Sequence, residues 1–297
     1  MSEQRSNRGA LMPLVAAQPG IWMADKLSRQ PNAWSVAHYV ELHGDLDGPL
    51  LARAIAAGLE EVDTLRMRFV EQDGEAWQWH DPTLTFAPPP VIDLRDCADP
   101  QQAAHARMQA DLDRDLRLES GQPLWHHALL RLDEQHWFWY QRYHHVAVDG
   151  FSFPAITRRI AAIYTAWRQG TVPAPTPFTP FSEVVEEYQR YQTSETCARD
   201  AAFWREQLTR LPDAATLSGE PLTGDLSTTA LHRYHIRLET ADLTRLVVQG
   251  NGQTLAEMAL ALVAVWLGRL SGRRAFSAGF IFMRRIGSSA LCATGPV

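Results

Sequence analysis

Cysteine is scarce in this sequence of 297 residues, which contains only Cys97, Cys197 and Cys292. They form no Cys-x-x-Cys pair, and three widely separated thiols cannot build a disulfide scaffold. Runs of five or six like charges are missing too. The sequence contains 28 Lys and Arg and 34 Asp and Glu, which gives a net charge of −6. A phosphate-binding surface needs a basic patch, so we predict that the protein does not bind nucleic acid.

Long apolar runs are also missing. The longest, Met258–Leu267, is about half of the roughly 20 residues that a membrane-spanning helix requires. Arg5 and Arg8 lie near the N-terminus, but Pro13 and Pro19 interrupt the short apolar stretch that follows, which makes a poor signal peptide. We therefore predict a soluble, cytoplasmic protein without a membrane span.

Two common catalytic signatures are absent. There is no Gly-rich phosphate-binding loop, so nucleotide and dinucleotide chemistry has no support. There is no Gly-x-Ser-x-Gly elbow either, and Ser152 lies beyond a predicted turn where nothing indicates that a histidine reaches it. Nucleophilic catalysis by serine is therefore disfavoured.

Aromatic residues are plentiful by contrast, and several of the ten Trp residues lie in alternating runs. Trp77–Trp79 and Trp137–Tyr140 have the period of strands that face a core on one side. The strand-like runs Trp125–Leu132 and His136–Tyr143 flank a short polar turn, which predicts a hairpin that ends at His144. Large rings filling a wide core are the simplest explanation of this aromatic content.

Helical patterns alternate with these strands. Apolar residues mark one face of an amphipathic helix between Gly48 and Leu65: Leu51, Ile55, Leu59 and Val62. Leu65–Val70 then switches to strand period, with Arg66 and Arg68 on one face. Gln101–Leu118 is polar and Ala-rich, which predicts a solvated surface helix.

A further helix is predicted after Gly150, with Gly170 placed to end it. Four prolines within 172–180 forbid regular structure, and we place a domain boundary there. The chain is thereby divided into an N-terminal lobe (1–171), a Pro-rich linker (172–180) and the start of a C-terminal lobe (181–297). This mixture of strands and helices predicts an α/β (α+β) fold.

The region beyond the linker is predicted to contain more helix than strand. Phe181–Leu211 has a helical pattern, and Ala230–Leu238 and Phe276–Met283 have strand patterns. Thr254 and Glu257 form a capping box that opens a helix. Because this helix is apolar nearly all round, we expect it to be sandwiched inside the fold, with part of its cover supplied from outside residues 1–297.

The segment His144–Gly150 carries the clearest chemical pattern, His-His-x-x-x-Asp-Gly at a predicted strand end. A shared metal ion is disfavoured because adjacent strand residues such as His144 and His145 point to opposite faces, a defect that His126–His127 shares. A structural role is open, with a histidine hydrogen-bonded in the core and Asp149 making the turn. General base catalysis by one histidine at the mouth of a cleft is open too.

In the catalytic interpretation, a carboxylate buried beside the site needs a cationic partner. Arg66 or Arg68 on the preceding strand is the natural candidate for Asp149. We therefore expect an ion pair between Asp149 and one of these arginines.

These motifs together resemble the condensation domains of nonribosomal peptide synthetases, which have a chloramphenicol acetyltransferase-like fold. Ala17–Trp22 resembles the family's first motif, Leu65–Phe69 its second, and His144–Gly150 its active-site motif. Tyr188 and Asp200–Trp204 resemble the region after the linker, although the usual Tyr-x-Asp-Phe form is only loosely kept.

The resemblance implies two lobes with a tunnel between them, into which two carrier proteins insert phosphopantetheine arms from opposite ends. It implies that His145 is catalytic and that His144 and Gly150 belong to the active-site frame. Asp149 would pair with Arg66, away from the substrate. Whether His145 removes a proton from the amine or steadies the tetrahedral intermediate stays open here.

Within the family, the resemblance points to a siderophore synthetase. The reaction would join a 2,3-dihydroxybenzoyl thioester on an aryl carrier protein, the donor, to a seryl thioester on a peptidyl carrier protein, the acceptor. The resemblance implies no metal and no cofactor bound by the domain itself. Family members continue beyond the position of Val297, which implies an incomplete second lobe. Two alternatives are a stand-alone acyltransferase that uses coenzyme A and an inactive carrier-docking fragment.

Overall fold

The computed structural model of the chain describes residues 9–30, 32–215, 236–237, 239–249 and 252–280. Backbone contacts group these residues into two compact units, divided after Thr193. In the described ranges, no helix combines the length and the hydropathy of a membrane span.

The first unit is built from seven described strands and five α-helices. The strands are β1 (Met12–Pro13), β2 (Ser35–His43), β3 (Met67–Gln72), β4 (Glu75–His80), β5 (Val91–Asp93), β6 (Trp125–Arg131) and β7 (His136–His144). The helices are α1 (Gln18–Leu27), α2 (Gly48–Glu60), α3 (Pro100–Leu112), α4 (Ser152–Arg168) and α5 (Phe181–Gln192).

The larger sheet has the strand order β2–β7–β6–β5, in which only β5 and β6 run parallel. β6 and β7 form the predicted hairpin, and β7 lies between β2 and β6. The aromatic run Trp137–Tyr140 in β7 is at most 4% exposed, which confirms that these rings fill the core. The smaller antiparallel sheet has the order β1–β4–β3.

Helices cover both faces of the larger sheet. α2 and α4 pack together on one face. The four apolar residues predicted for the buried side of this helix are each at most 3% exposed, although the helix ends at Glu60 and Val62 lies just beyond it. α3 covers the other face through Ala104 and Met108, which contact Phe138 and Tyr140. Gly170 lies just beyond the C-terminal end of α4, as predicted, and its φ is positive, at 69°.

Two predicted elements have different bounds in the structure, a strand that begins two residues later and a helix that is shorter. Leu65 and Arg66 belong to a 3₁₀ turn, Asp63–Arg66, and the strand begins only at Met67. The helix predicted for Gln101–Leu118 ends at Leu112. It ends there because side chains from elsewhere bind its last carbonyls: Asn32 Nδ2 donates to Leu112 O at 2.6 Å, and Arg142 donates to Asp111 O at 2.5 Å.

The helix predicted for Phe181–Leu211 is two helices. α5 ends at Gln192, and the side chain of Ser194 accepts from Cys197 N at 3.2 Å to start α6 (Glu195–Leu208). α5 belongs to the first unit, because Val184 and Val185 pack with Val15 and Met67. The compact units therefore divide beyond the Pro-rich segment, and the two-lobe boundary at 172–180 stays a prediction.

The described part of the second unit contains α6, α7 (Thr240–Gln249) and α8 (Leu255–Ser271). The predicted capping box is confirmed, because Glu257 N donates to Thr254 Oγ1 at 3.2 Å and Thr254 N donates to Glu257 Oε2 at 2.7 Å. Most of the predicted strand Ala230–Leu238 lies outside the described residues. Of Phe276–Met283, residues 276–280 are described, and Ser277 forms an isolated bridge to Ala214 rather than a strand.

The described residues do not enclose α8, so its expected position inside the fold stays a prediction. α7 packs against α8, yet no residue of α8 is buried, and seven of its large apolar side chains are 43–59% exposed. They are Leu255, Leu260, Leu262, Val263, Val265, Trp266 and Leu270. One neighbouring helix cannot cover a helix that is apolar on every side.

The contact between α2 and α4 predicts the effect of a glycine substitution. A Cβ atom at Gly58 would lie 2.4 Å from Cγ1 of Ile160, which is fully buried. Gly58→Ala should therefore destabilise the first unit by about 1–3 kcal/mol through overpacking, despite alanine's better helix propensity. Gly20→Ala in α1 is the control, since a Cβ there has nothing within 4 Å. Urea unfolding followed by Trp fluorescence measures both, and equal midpoints would contradict the prediction.

Candidate active site

The His-His-x-x-x-Asp-Gly segment spans the end of β7 and the turn that leads to α4. Backbone bonds to both neighbouring strands hold this turn: His144 N donates to Leu124 O and His145 N donates to Trp34 O, each at 2.8 Å. Ala147 N donates back to His144 O at 3.1 Å. The turn therefore begins at a fixed point of the sheet.

His144 is completely buried, and both of its ring nitrogens are occupied. Its Nδ1 accepts from Val146 N at 3.1 Å, and because a backbone N–H can only donate, Nε2 must carry the proton. Nε2 then donates to Oδ1 of Asp25 at 3.3 Å, while Oδ2 of Asp25 accepts from Leu118 N at 3.1 Å. These contacts support the place of His144 in the frame of the site.

His145 is only half-buried and makes different contacts. Its ring meets the Trp34 ring edge-on, with centroids 6.5 Å apart. Its Nδ1 is buried without a hydrogen-bond partner among the described residues, which leaves Nε2 as the ring nitrogen that a substrate can reach. The two adjacent histidines thus face different environments, as the sequence predicts.

Asp149 organises the turn that leads into α4. Its Oδ1 accepts from Phe151 N at 2.9 Å, from Ser152 N at 3.0 Å and from Ser152 Oγ at 2.9 Å. Its own backbone N–H donates to Ser152 Oγ at 2.9 Å, so the two residues cap each other in the manner of a capping box. Gly150 follows on the exposed side of the same turn.

The expected ion pair between Asp149 and Arg66 is wrong. The Arg66 guanidinium pairs instead with Glu60, at 3.0 Å, and donates to the carbonyl of Leu84 while lying over the Phe86 ring. Since Arg66 sits in the 3₁₀ turn rather than in β3, its side chain is directed to partners near that turn. Arg68 is engaged elsewhere as well, with Asp81 at 3.2 Å.

The sequence reasoning missed Asp25 and Trp34 as parts of the site. Asp25 lies on the one buried face of α1 together with Gln18 and Trp22, at spacings i, i+4 and i+7. Polar residues at helical spacing with a buried tryptophan are the signal that could have revealed this face. Trp34 contributes its carbonyl from the start of β2, and no sequence pattern predicts that contact.

A buried polar chain lies beneath the end of β7. Trp139 Nε1 donates to His127 Nδ1 at 3.2 Å, so His127 Nε2 carries the proton and donates to the Tyr143 hydroxyl at 2.8 Å. The Tyr143 hydroxyl donates in turn to Gln141 Oε1 at 3.2 Å. Burial, with smaller effects of other histidines, holds the pKa of His127 well below its usual value, so the ring is neutral.

A group of potential metal ligands that sequence spacing did not reveal lies at the far end of β7. His43 and His136 face each other across β2 and β7, and Glu41 lies on the same face of β2, with ligand atoms all within 4.8 Å. The two imidazole rings are stacked, with centroids 4.4 Å apart and an angle of 19° between their planes. Their in-plane lone pairs therefore lie in nearly parallel planes, whereas one ion needs lone pairs that converge on a single point.

Comparison with known sequences gives a consistent result. The sequence model of the condensation domain matches residues 10–296. Enterobactin synthase component F of Escherichia coli (strain K12) is 57% identical over 286 residues, which are 96% of this chain and 22% of that protein. Vanchrobactin synthetase VabF of Vibrio anguillarum is 34% identical over 96% of this chain and 10% of that protein. The chain thus spans a small part of the length of these relatives.

Solved structures agree. The first condensation domain of the calcium-dependent antibiotic synthetase, in complex with a substrate analogue, has a TM-score of 0.74 and 27% identity, covering 91% of this chain and 63% of that one. A mutant starter condensation domain of rhizomide synthetase RzmA, in complex with C8-CoA and Leu-SNAC, has a TM-score of 0.71 and 29% identity, covering 92% and 60%. These matches confirm the α/β, chloramphenicol acetyltransferase-like fold expected from the sequence.

The contrast between the two histidines predicts different losses of stability. His144→Ala removes a buried ring together with its hydrogen bonds to Asp25 and to Val146 N, which should cost about 2–5 kcal/mol. His145→Ala should cost less than about 1 kcal/mol, because its ring makes no hydrogen bond to the described residues. Urea unfolding of both variants tests this difference. Equal losses would show that the two faces are assigned incorrectly.

The capping role of Asp149 predicts a graded result. Asp149→Ala should cost about 1–3 kcal/mol through the loss of the hydrogen bonds that hold the turn before α4, and Asp149→Asn should cost less because its amide oxygen still accepts. In a double-mutant cycle with Arg66→Met, the two losses should add. Strong non-additivity in unfolding free energy would instead indicate the pair between Asp149 and Arg66.

Proposed function

Because the chain belongs to the condensation-domain family of nonribosomal peptide synthetases, we propose that it forms an amide bond with His145 as its catalytic residue. The observation that carries the proposal is the contrast within one motif. His144 is buried with both nitrogens engaged, whereas His145 offers Nε2 to a substrate. The frame formed by His144, Asp149 and Gly150 serves to hold the turn around it.

In the proposed reaction, the amine nitrogen of an aminoacyl thioester attacks the carbonyl carbon of an acyl thioester. The new C–N bond forms, the C–S bond breaks, and the electron pair leaves with sulfur. The amine loses a proton, and the thiolate ends as a thiol. Thioesters are already activated acyl groups, so positioning and proton handling can supply the catalysis without a metal or a bound cofactor.

His145 takes part in this reaction through Nε2. Its Nδ1 has no carboxylate partner among the described residues, so the ring lacks the orienting acid of a hydrolase triad. A base that accepts the amine proton and a donor to the tetrahedral intermediate would both use Nε2. Both roles require the ring to be aimed correctly, since it forms no bond that fixes its plane.

We propose the substrates on the basis of similarity. The relatives are synthetases of enterobactin and vanchrobactin, and the motifs of this chain resemble those of siderophore synthetases. The acyl donor is then a 2,3-dihydroxybenzoyl thioester on an aryl carrier protein, and the acceptor is a seryl thioester on a peptidyl carrier protein. Phosphopantetheine belongs to these carriers, and the reaction takes place in the cytoplasm.

A second donor is favoured by one specific observation. The RzmA starter domain that resembles this chain was solved with C8-CoA and Leu-SNAC, a coenzyme A thioester beside an amino acid thioester. A stand-alone acyltransferase would accept acyl-coenzyme A in place of the acylated carrier. Parallel reactions with the same acyl group on coenzyme A and on the aryl carrier distinguish the two donors, and a carrier-docking fragment would transfer neither.

Substitution of His145 should abolish most of the activity. His145→Ala is expected to reduce amide formation by about 10²–10⁴-fold, the usual contribution of a positioned acid–base group. The product on the acceptor carrier is measured by mass spectrometry after incubation with both loaded carriers.

His105→Ala is the matched control, because His105 is an exposed histidine of α3 that contacts Tyr39 and Phe138. It should keep the rate of the unsubstituted protein. Full activity of the His145 variant, with the fold intact, would refute the catalytic role.

A further inference from the structure

We propose that Gln18 is a positioning residue for His145, which it aims by holding the carbonyl group of Val146 in the same turn. This inference rests on the proposed catalytic role of His145. Gln18 lies at the start of α1, distant in sequence from the turn, and is only 3% exposed. Its Nε2 donates to Val146 O at 3.3 Å.

The amide of Gln18 is fully engaged. Besides its bond to Val146, Nε2 donates to Oε1 of Gln78 at 3.0 Å. Its Oε1 accepts from Val15 N at 3.0 Å and from Gln78 Nε2 at 2.9 Å. Both donors and both lone pairs of this side chain therefore have partners, so that its plane is fixed.

Gln78 is the partner of Gln18 in the smaller sheet. It lies in β4, is completely buried, and forms a reciprocal amide pair with Gln18. Its Nε2 also donates to the carbonyl of Pro13 in β1 at 2.9 Å. The two glutamines thus connect the three-stranded sheet to the turn after β7. A buried amide pair of this kind resists displacement, because any shift would leave polar groups unsatisfied.

The backbone of this turn needs to be held by hydrogen bonds because no hydrogen bond holds the ring of His145. No hydrogen bond to the described residues holds either ring nitrogen of His145, so the backbone and the packing against Trp34 must orient it. Three backbone groups around it are bonded: His145 N to Trp34, Val146 N to His144, and Val146 O to Gln18. The bond from Gln18 is the one that reaches the turn from α1.

The test compares Gln18→Met with Gln78→Met in the full chain, assayed with both loaded carriers. Either substitution removes buried amide hydrogen bonds, so both should lower the unfolding midpoint similarly. Only Gln18→Met removes the bond to Val146. It should lower kcat by about 10–100-fold with KM for both carriers unchanged, since small misplacements of a catalytic group have effects of this size. In Gln78→Met the Gln18 amide keeps its bonds to Val15 N and Val146 O, so kcat should fall by less than about 3-fold.

A double-mutant cycle shows whether Gln18 acts through His145. In a His145→Ala background, Gln18→Met should not reduce the residual rate further, because there is no catalytic ring left to misplace. An equal fold-reduction in both backgrounds would overturn the proposal, as would equal losses of kcat in the Gln18 and Gln78 variants.

A readout without turnover keeps this inference separate from the proposed function. In protein labelled at histidine ¹³Cε1, the His145 resonance, assigned with His145→Ala, should shift in Gln18→Met and stay in place in Gln78→Met. If Gln18→Met does not fold, Gln18→Asn, whose shorter amide cannot span the same distance, replaces it. An inactive unsubstituted chain would refute the proposed function, whereas an unmoved His145 resonance would refute the positioning role.

Discussion

The end of β7 is buried on both faces, and this burial determines the arrangement of the surrounding polar groups. A polar group taken out of water without a partner costs several kcal/mol, roughly as much as a large part of a domain's net stability. The buried polar side chains at the end of β7 all form hydrogen bonds to residues of other elements. Arg142 binds carbonyls of Asp111 and Arg114 and the Ser35 hydroxyl, while His144 binds Asp25. The strand end can therefore adopt one arrangement only.

This constraint separates the roles of two adjacent and chemically identical side chains. His144 continues the alternation of β7 into the interior, where its ring bonds to Asp25 and to the backbone of Val146. His145 comes one residue later, outside the strand, and its ring is left half-exposed beside Trp34. A histidine with two satisfied nitrogens cannot exchange protons without breaking bonds, whereas one with an accessible nitrogen can.

Sequence patterns predicted the elements well and the partners of long polar side chains poorly. The apolar spacing in α2 and the alternation in β6 and β7 are local properties, because one covered face imposes its period on the chain. The partner of Arg66 cannot be predicted from a local pattern. Arg66 belongs to the 3₁₀ turn that precedes β3, and its guanidinium pairs with Glu60. The exposure of α8 likewise depends on which elements lie around it. Its hydropathy indicates only that it has an apolar surface that other elements can bury.

The large aromatic side chains of β7 make the strand rigid as well as filling the core. Trp137 and Trp139 in β7 pack in the core shared with α2 and α4, and close packing of large rings resists small displacements of the strand. A ring that forms no hydrogen bond of its own, such as that of His145, can be directed only by the backbone that carries it. The proposed role of His145 therefore requires a rigid strand and a turn whose backbone is held in place, and it does not require a carboxylate partner on the ring.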